Sequence, residues 1–121
     1  MNKTQALEKF YSSFGLPAYE ENTIPKDAKM PYITYEVITG SLSDFNLSLS
    51  CQIWYKSNSW KEINAKAEEI SRELAGGKKL MVDDGAIMLY RGQPFAQNTP
   101  NGDDSTVKCK YINISADYIT L

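Results

Sequence analysis

Two pairs of adjacent aspartates have the spacing that could bind a metal ion or support acid–base catalysis. Asp83-Asp84 is the first pair and Asp103-Asp104 is the second. Two neighbouring carboxylates can bind a hard cation or share a proton. However, Gly85 follows the first pair and Gly102 precedes the second, and aspartate beside glycine is typical of turns for backbone reasons alone. The residue pattern of a calcium-binding EF-hand loop is not met, so a role in turns is favoured over a metal site.

The chain contains no histidine, which removes the commonest general base and the commonest metal ligand. Its two cysteines, Cys51 and Cys109, are 58 residues apart, and both lie in strand-like runs. They do not form the Cys-x-x-Cys spacing of zinc or redox motifs. Two buried free thiols are favoured, with a disulfide between them as the alternative.

Serine and lysine motifs give no stronger signal of catalysis. No serine lies in the Gly-x-Ser-x-Gly motif that exposes an activated nucleophile. Lys78-Lys79 follows Gly76-Gly77, but these glycines follow a helical run rather than a strand, and the spacing of a phosphate-binding loop is not met. The sequence therefore predicts no catalytic residue, no cofactor and no metal, and we do not expect an enzyme.

Composition and charge narrow the class of protein further. The 121 residues are 42% hydrophobic and 23% charged, as is typical of one folded domain. The net charge of −2 and the scattered lysines argue against a nucleic-acid-binding face. The N-terminal residues lead directly into a helical pattern without the apolar core of a signal peptide, and no apolar run is as long as a membrane span. We therefore expect the protein in a cytoplasm and not at a membrane.

Two helices must position these residues, and the spacing of apolar side chains predicts both. The first covers residues 3–14 and stops before Gly15. The second covers residues 59–75 and begins with a capping box formed by Ser59 and Glu62. Its apolar stripe predicts packing on a sheet, and the mixed charges on its opposite side predict contact with solvent.

Strands and their connections account for the rest of the chain. Strands are predicted at 32–38 and 47–55, and two further strands at 79–82 and 86–91 form a hairpin. A loop at 92–104 and a strand at 105–119 complete the chain. The run 47–55 alternates most clearly, and Trp54 lies on its polar face. The segment 16–31 is irregular and long, which favours packing across the sheet or a function. A change of apolar phase at Ile112 predicts a β-bulge or a bend in the last strand.

These elements predict an α+β fold in a single domain, residues 1–121. The sheet is expected to be mostly antiparallel and packed against one long amphipathic helix, with a short N-terminal helix. Trp54 on the polar face can anchor an interface, unless the second helix or the 16–31 segment covers it within the chain. The loops at 40–46 and 92–104 are long enough to reach neighbouring molecules.

The order of these segments resembles that of a known family. A short helix precedes Leu16-Pro17-Ala18-Tyr19, a loop ends in Met30-Pro31-Tyr32-Ile33-Thr34-Tyr35, and the next strand contains Trp54-Tyr55. A helix that opens with Ser59-Trp60, a hairpin and a final β run complete the pattern. Over nearly its whole length the chain resembles the tail-completion or tail-terminator proteins, which join tail to head in phages and prophages with long non-contractile tails.

The resemblance implies a structural virion protein. Such proteins form a ring, usually a hexamer, that caps the tail tube and stops its elongation. The other side of the ring meets a head-completion protein, and DNA passes through the lumen without specific binding. The implied partners are therefore further copies of the chain, the tail tube protein and the head-completion protein. The implied location is the host cytoplasm during assembly and then the tail of the virion.

Contacts with neighbouring subunits are expected from the first helix, from Trp54 and from the 92–104 loop. The candidate interface residues are Phe10, Tyr11, Trp54, Phe95, Gln97, Asn98 and Asn101. The main alternative is a small cytoplasmic protein-binding or regulatory module without catalytic activity, which would bind a partner in defined stoichiometry and form no ring. An enzyme that uses only carboxylates and tyrosines is a third class.

Overall fold

The computed structural model of the chain describes residues 1–37, 47–99 and 104–120. The loop predicted at 40–46 and the candidate residue Asn101 therefore lie outside the described residues. In chain order, the described elements are α1 (Lys3–Ser12), β1 (Ala18–Glu20), β2 (Tyr32–Tyr35), β3 (Leu47–Lys56), α2 (Lys61–Leu74), β4 (Lys78–Val82), β5 (Gly85–Thr99) and β6 (Val107–Thr120).

The described strands form one mixed sheet in the spatial order β1-β2-β3-β6-β5-β4. The edge strand β1 is parallel to β2, and the other neighbouring pairs are antiparallel. β3 pairs with β6 along its whole length, from Leu47 opposite Ala116 to Lys56 opposite Val107. Residues directly opposite each other in such a ladder share one face of the sheet, so this register decides which side chains lie together.

The predicted fold class is wrong, because it describes the sheet as packed against one long helix. The structure is mostly a curled, six-stranded mixed sheet, with 48% of the described residues in strands, and its two helices are short. α1 has 10 residues and α2 has 14, and each of them buries four side chains. Helical periodicity identifies the stripe that faces a core, but it does not reveal that two helices share this role or that polar segments pair as strands.

Both helices pack on the same face of the sheet. Leu7 and Phe10 of α1 lie in one buried cluster with Ile63 and Ile70 of α2. The fully buried strand residues of that cluster include Ile33, Leu49, Ile53, Ile87, Leu89 and Ile112. Lys66 Nζ donates a hydrogen bond of 2.7 Å to the carbonyl oxygen of Phe14 and so ties α2 to the end of α1. The opposite face of the sheet, termed the outer face, carries neither helix.

A capping box is found on α1, for which none was predicted, and not on α2, for which one was predicted. α1 has a capping box, in which Gln5 N donates to Asn2 Oδ1 at 2.8 Å and Asn2 N donates to Gln5 Oε1 at 3.0 Å. The capping box predicted for α2 is wrong, because Trp60 is the N-cap residue and makes no side-chain capping bond. Ser59 lies one residue too early, and its Oγ accepts a hydrogen bond from Lys61 N at 2.9 Å instead.

β5 continues well past its predicted end at Arg91. The loop predicted at 92–104 is wrong for residues 92–99, which belong to β5, while residues 100–103 lie outside the described ranges. Ala96 pairs with Ile112 and Thr99 pairs with Cys109, so the backbone of β6 holds this polar stretch in extended form. Composition alone favours a turn here, because strand formation depends on the neighbouring strand as much as on the residues themselves. Residues 92–99 are termed the β5 arm.

The irregularity predicted at Ile112 lies on the partner strand. The register of β5 against β6 shifts at residues 92–95, which face Asn113. A Cβ atom on Gly92 would lie 2.8 Å from both Cβ and the carbonyl oxygen of Asn113. Position 92, where the bulge begins, therefore requires a glycine. Asn113 Nδ2 donates a hydrogen bond of 2.8 Å to the carbonyl oxygen of Pro94 and anchors the bulge.

Candidate functional site

The centre of the outer face is built by β2, β3 and β6. Thr34, Gln52 and Tyr111 form one row across these strands. The described residues of this outer patch are Tyr32, Thr34, Ser48, Ser50, Gln52, Trp54, Tyr111, Asn113 and Ser115. None of these nine side chains carries a formal charge, and charged residues of β3 and β6 on this face appear only towards the ends, at Lys56 and Asp117. The outer patch is therefore uncharged, aromatic and rich in hydrogen-bonding groups.

Trp54 lies half-buried on the outer patch. Its Nε1–H donates a hydrogen bond of 2.9 Å to Thr34 Oγ1, and Thr34 itself is 2% exposed. The ring of Tyr32 is tilted against the indole at a centroid distance of 6.4 Å, and Tyr19 packs edge-on against Tyr32 at 5.8 Å. Because the indole N–H is already satisfied, the ring is fixed in place and leaves an apolar surface for contact.

The two elements that were expected to be able to cover Trp54 behave differently. α2 packs on the opposite face of the sheet and does not cover it. The 16–31 segment contributes β1, which extends the outer face with Tyr19 beside Tyr32. The segment therefore widens the aromatic surface around Trp54.

Phe10 and Tyr11, two of the candidate interface residues, are placed in the core. Their side chains are 4% and 1% exposed, so they are not accessible to a neighbouring molecule. Tyr11 stacks on Tyr35 at a centroid distance of 4.6 Å, and Phe10 packs edge-on against Phe14 at 5.3 Å. The apolar stripe of α1 serves the fold, because an amphipathic helix presents the same pattern whether it packs on its own sheet or on a partner.

Replacing Tyr11 with phenylalanine is expected to stabilise the protein. Among the described residues, the buried Tyr11 Oη has no hydrogen-bond partner. A buried hydroxyl without a partner has lost its water without compensation, so removing it should raise the free energy of unfolding by about 1 kcal/mol. Urea unfolding measures the difference, and Tyr90→Phe, whose ring is 39% exposed, is the neutral control. A Tyr11→Phe variant less stable than wild type would contradict the assignment.

The remaining candidate interface residues in the described ranges lie on the β5 arm. Gln97 and Asn98 are exposed, and Phe95 is half-buried against the core beside α2. Asn98 Oδ1 accepts a hydrogen bond of 2.7 Å from Lys110 Nζ. Burial lowers the pKa of the Lys110 ammonium group. Trp54 lies on the outer patch, Gln97 lies beside the patch on the same face of the sheet, opposite Tyr111, and Asn98 lies opposite Lys110 on the other face.

One aspartate of each pair, Asp83 and Asp104, has structural partners in a turn, and Asp103 lies outside the described residues. Asp83 forms an ion pair with the N-terminal ammonium group, and its backbone N–H donates to the Met1 carbonyl oxygen at 2.9 Å. Asp104 Oδ1 accepts hydrogen bonds from Thr106 Oγ1 at 2.6 Å and Thr106 N at 2.9 Å, and these bonds lower the pKa of its carboxyl group. Within the described ranges, no three His, Cys, Asp or Glu side chains are grouped as metal ligands.

The two cysteines are free and buried, as predicted, and they lie on opposite faces of the sheet. Cys51 pairs with Ile112 in the core, whereas Cys109 pairs with Trp54 on the outer side. Burial raises the pKa of the Cys51 thiol to about 12. Burial likewise raises the pKa of Cys109 to about 11, although a hydrogen bond with Thr99 acts in the opposite direction. Both thiols are therefore poor nucleophiles at neutral pH.

Stability is expected to fall at alkaline pH, in part through Cys51. The unfolded chain releases the thiol proton near the ordinary pKa of 9.0, whereas the folded chain keeps it until about pH 12, so the unfolded state gains stability between these values. Each such group contributes a slope of about 1.4 kcal/mol per pH unit in that window. In urea unfolding from pH 7 to 11, Cys51→Ala should show a shallower decline than wild type above pH 9. Parallel curves would contradict this origin.

The sequence pattern identifies Trp54 but misses the residues that surround it. Tyr32 and Tyr111 join Trp54 only through the register of three strands that are distant in the chain. One local signal was available, because alternation across Tyr32-Ile33-Thr34 assigns Tyr32 and Thr34 to the face opposite Ile33. Nothing local indicates that β6 inserts between β3 and β5.

Within the described residues, no helix is both long and apolar enough to cross a membrane. No model of a known protein family matches the chain, and neither does any curated protein or any solved structure. The function proposed for it therefore rests on the outer patch, on the β5 arm and on the order of its segments.

Proposed function

We propose that this chain is a tail terminator of phages or prophages with long non-contractile tails. In this role, copies of the chain form a ring, usually a hexamer, that caps the tail tube, ends its elongation and meets a head-completion protein on the other side. One support is the order of the segments, from Leu16-Pro17-Ala18-Tyr19 through the strand with Trp54-Tyr55 to the final β run, which resembles that family.

The observation that carries the proposal is the uncharged outer patch. A subunit of such a ring touches a neighbour on each side and other proteins above and below, so it needs surface for association beyond its own core. Central regions of protein interfaces are poor in charged residues and rich in tyrosine and tryptophan. The outer patch agrees with this in its lack of charge and in its aromatic residues Trp54, Tyr32 and Tyr111, while its other side chains supply neutral hydrogen-bonding groups.

Other properties agree with a structural role without catalysis. A net charge of −2 suits a ring through which DNA passes without being held. Asp83 and Asp104 make contacts within turns and the two thiols are buried with raised pKa values, so these groups serve the fold. In the proposed role, the protein is present in the host cytoplasm during assembly and then in the tail of the virion.

Electron microscopy of tail tubes tests this proposal. Tubes would be assembled from the tail tube protein of the same genome, with and without the purified chain. We expect added density at one end of each tube and no further elongation of capped tubes, whereas tubes without the chain keep growing. Uncapped tubes of unchanged growth would overturn the proposal. In that case, a complex of defined stoichiometry with another cytoplasmic protein would favour the binding-module alternative.

A further inference from the structure

A groove of about 550 Å³ lies between α1 and β4, the strand at one edge of the sheet. Its volume is within the range of ligand pockets, about 300–1,000 Å³. Four large apolar side chains of the described residues are more than a third exposed, and two of them, Met1 and Met81, line this groove. Leu80 and the buried Ala6 and Phe14 continue its apolar lining. The edge groove, as it is termed below, therefore offers apolar surface to a ligand.

The backbone of β4 is open to pairing along the edge groove. β4 pairs with β5 on one side, and no other described strand pairs with it on the other. A two-residue turn joins β4 to β5, so the residues that flank it form a hydrogen-bonded pair, and alternation then turns the N–H and C=O groups of Lys79 and Met81 away from β5. Asp83 N, next in this series, already donates to the carbonyl oxygen of Met1 at 2.9 Å. The edge thus accepts main-chain bonds, and two further residues are available for them.

Two lysines that line the edge groove carry charges that no carboxylate balances. Both glutamates of the lining already form ion pairs, one with Lys66 at 2.9 Å and the other with Lys78 at 2.5 Å. Lys9 of α1 and Lys79 of β4 are exposed, and no described carboxylate forms an ion pair with either. The groove is therefore locally positive although the chain has a net charge of −2, which favours a ligand with carboxylates.

We infer that the edge groove binds an extended segment of a partner protein. The segment pairs its backbone with the free edge of β4, places an apolar side chain between α1 and β4, and brings carboxylates to Lys9 and Lys79. An extended chain uses all three features at once, because its side chains alternate between two faces while its N–H and C=O groups point sideways. An anionic lipid would use the apolar lining and the lysines but leave the backbone edge unpaired. The inference goes beyond the proposed ring and does not depend on it.

The register of β4 decides which side chains of the segment enter the groove. Leu80 pairs with the buried Ile87 on the face that carries the helices, so Lys79 and Met81 lie on the outer face. A segment residue opposite Leu80 therefore points into the groove, and its two neighbours point to the outer face. In antiparallel pairing, the more stable kind, these two neighbours exchange the hydrogen bonds with β4.

Fluorescence anisotropy with a defined peptide tests the inference. The probe is a fluorescein-labelled Thr-Glu-Glu-Phe-Glu-Glu-Thr amide, and wild type should bind it with a Kd below about 1 mM. Serine in place of the phenylalanine should weaken binding at least about tenfold, because the apolar contact is lost. Lys79→Glu and Lys9→Glu should each weaken binding of the probe about fivefold, the size of an exposed ion pair. Lys61→Glu, at the exposed start of α2, is the matched control and should bind as wild type does. Circular dichroism verifies that each variant is folded.

Two modified probes make the experiment decisive. A probe with lysine in place of every glutamate should bind Lys79→Glu more tightly than wild type, since the charges of the pair are exchanged. N-methylation of the two glutamates beside the phenylalanine should abolish binding, whereas N-methylation of the phenylalanine should not, because only alternate residues of a paired strand bond to β4.

Three results would overturn the inference. The first is no binding of the probe to wild type up to about 1 mM. The second is equal affinity for the two N-methylated probes, which would show that the side chains bind without strand pairing, as an anionic lipid would. The third is an oligomer of the chain alone that the probe dissociates in sedimentation velocity, which would assign the edge groove to a second copy.

Discussion

Replacing Gly85 with alanine is expected to lower the free energy of unfolding by more than about 4 kcal/mol. Single substitutions reach this size only when they cause a severe conflict. Gly85 is the first residue of β5 and pairs with Thr120 of β6. A Cβ atom at this position would lie 1.9 Å from the carbonyl oxygen of Ile119 and 2.9 Å from Cα of Thr120. These are backbone atoms of the neighbouring strand, so no side-chain rotation can relieve the clash, and the sheet must separate locally.

Gly15→Ala is the matched control for this variant. Gly15 has a φ of +79° and no heavy atom within 4 Å of an added Cβ, so only the left-handed backbone is strained, at a cost of about 1 kcal/mol. Urea unfolding of both variants, followed by circular dichroism, separates the two effects. A Gly85→Ala variant as stable as Gly15→Ala would show that β5 and β6 do not approach as closely as described.

Truncating Leu7 to alanine is expected to cost about 2–5 kcal/mol, the usual range for a large side chain lost from a core. Leu7 lies on α1 and is 1% exposed, the same fraction as Leu74 on α2. Because both helices pack into one cluster on the same face of the sheet, Leu7→Ala and Leu74→Ala should destabilise the protein by similar amounts. A fold dominated by one long helix would predict a much smaller effect for Leu7.

Met81→Ala provides the neutral reference for these truncations. Its side chain is 61% exposed on the edge strand β4, so the change in stability should stay within about 0.5 kcal/mol. Denaturant midpoints at constant m-value give the comparison directly. If Leu7→Ala unfolds as Met81→Ala does, then α1 is a loosely attached appendage and the two-helix core is incorrect.

Local spacing predicts much of the scaffold correctly. The alternation along 47–55 is confirmed, since Leu49, Cys51 and Ile53 are buried, while Ser48 is exposed on the other side. This pattern survives folding because successive side chains of a strand must point to opposite faces. The hairpin around Asp83-Asp84-Gly85 is also present, because its turn is specified by residues adjacent in the chain.

The local spacing of apolar residues does not predict the polar strands. β1 is a short strand within the irregular segment 16–31, and the β5 arm contains glycine, proline and asparagine; both pair with a neighbouring strand through the backbone. Main-chain hydrogen bonds are available to every residue type except the N–H of proline, so pairing leaves little mark on the sequence. The fold class is mistaken for this reason, because part of the sheet lies in segments that read as loops.

The candidate interface residues show the same difference between what local sequence indicates and what the tertiary structure decides. Trp54 stands out locally as an aromatic residue on a polar strand face, and the structure keeps it on the outer patch beside Tyr32. Phe10 and Tyr11 belong to an amphipathic stripe that fits a core or an interface equally well. Tyr11 stacks on Tyr35, which lies 24 positions further along the chain, and this contact exists only because α1 packs on the sheet.

By itself, the sequence determined the charge distribution, the lack of histidine, the two amphipathic helices and the alternation of β3, since each depends on residues a few positions apart. The tertiary structure alone decided that both helices share one face, that 92–99 extends β5 and that Tyr32, Trp54 and Tyr111 form one uncharged patch. The physical reason is that a strand's register is set by backbone bonds to distant segments, and a shift of one residue would turn every side chain to the other face.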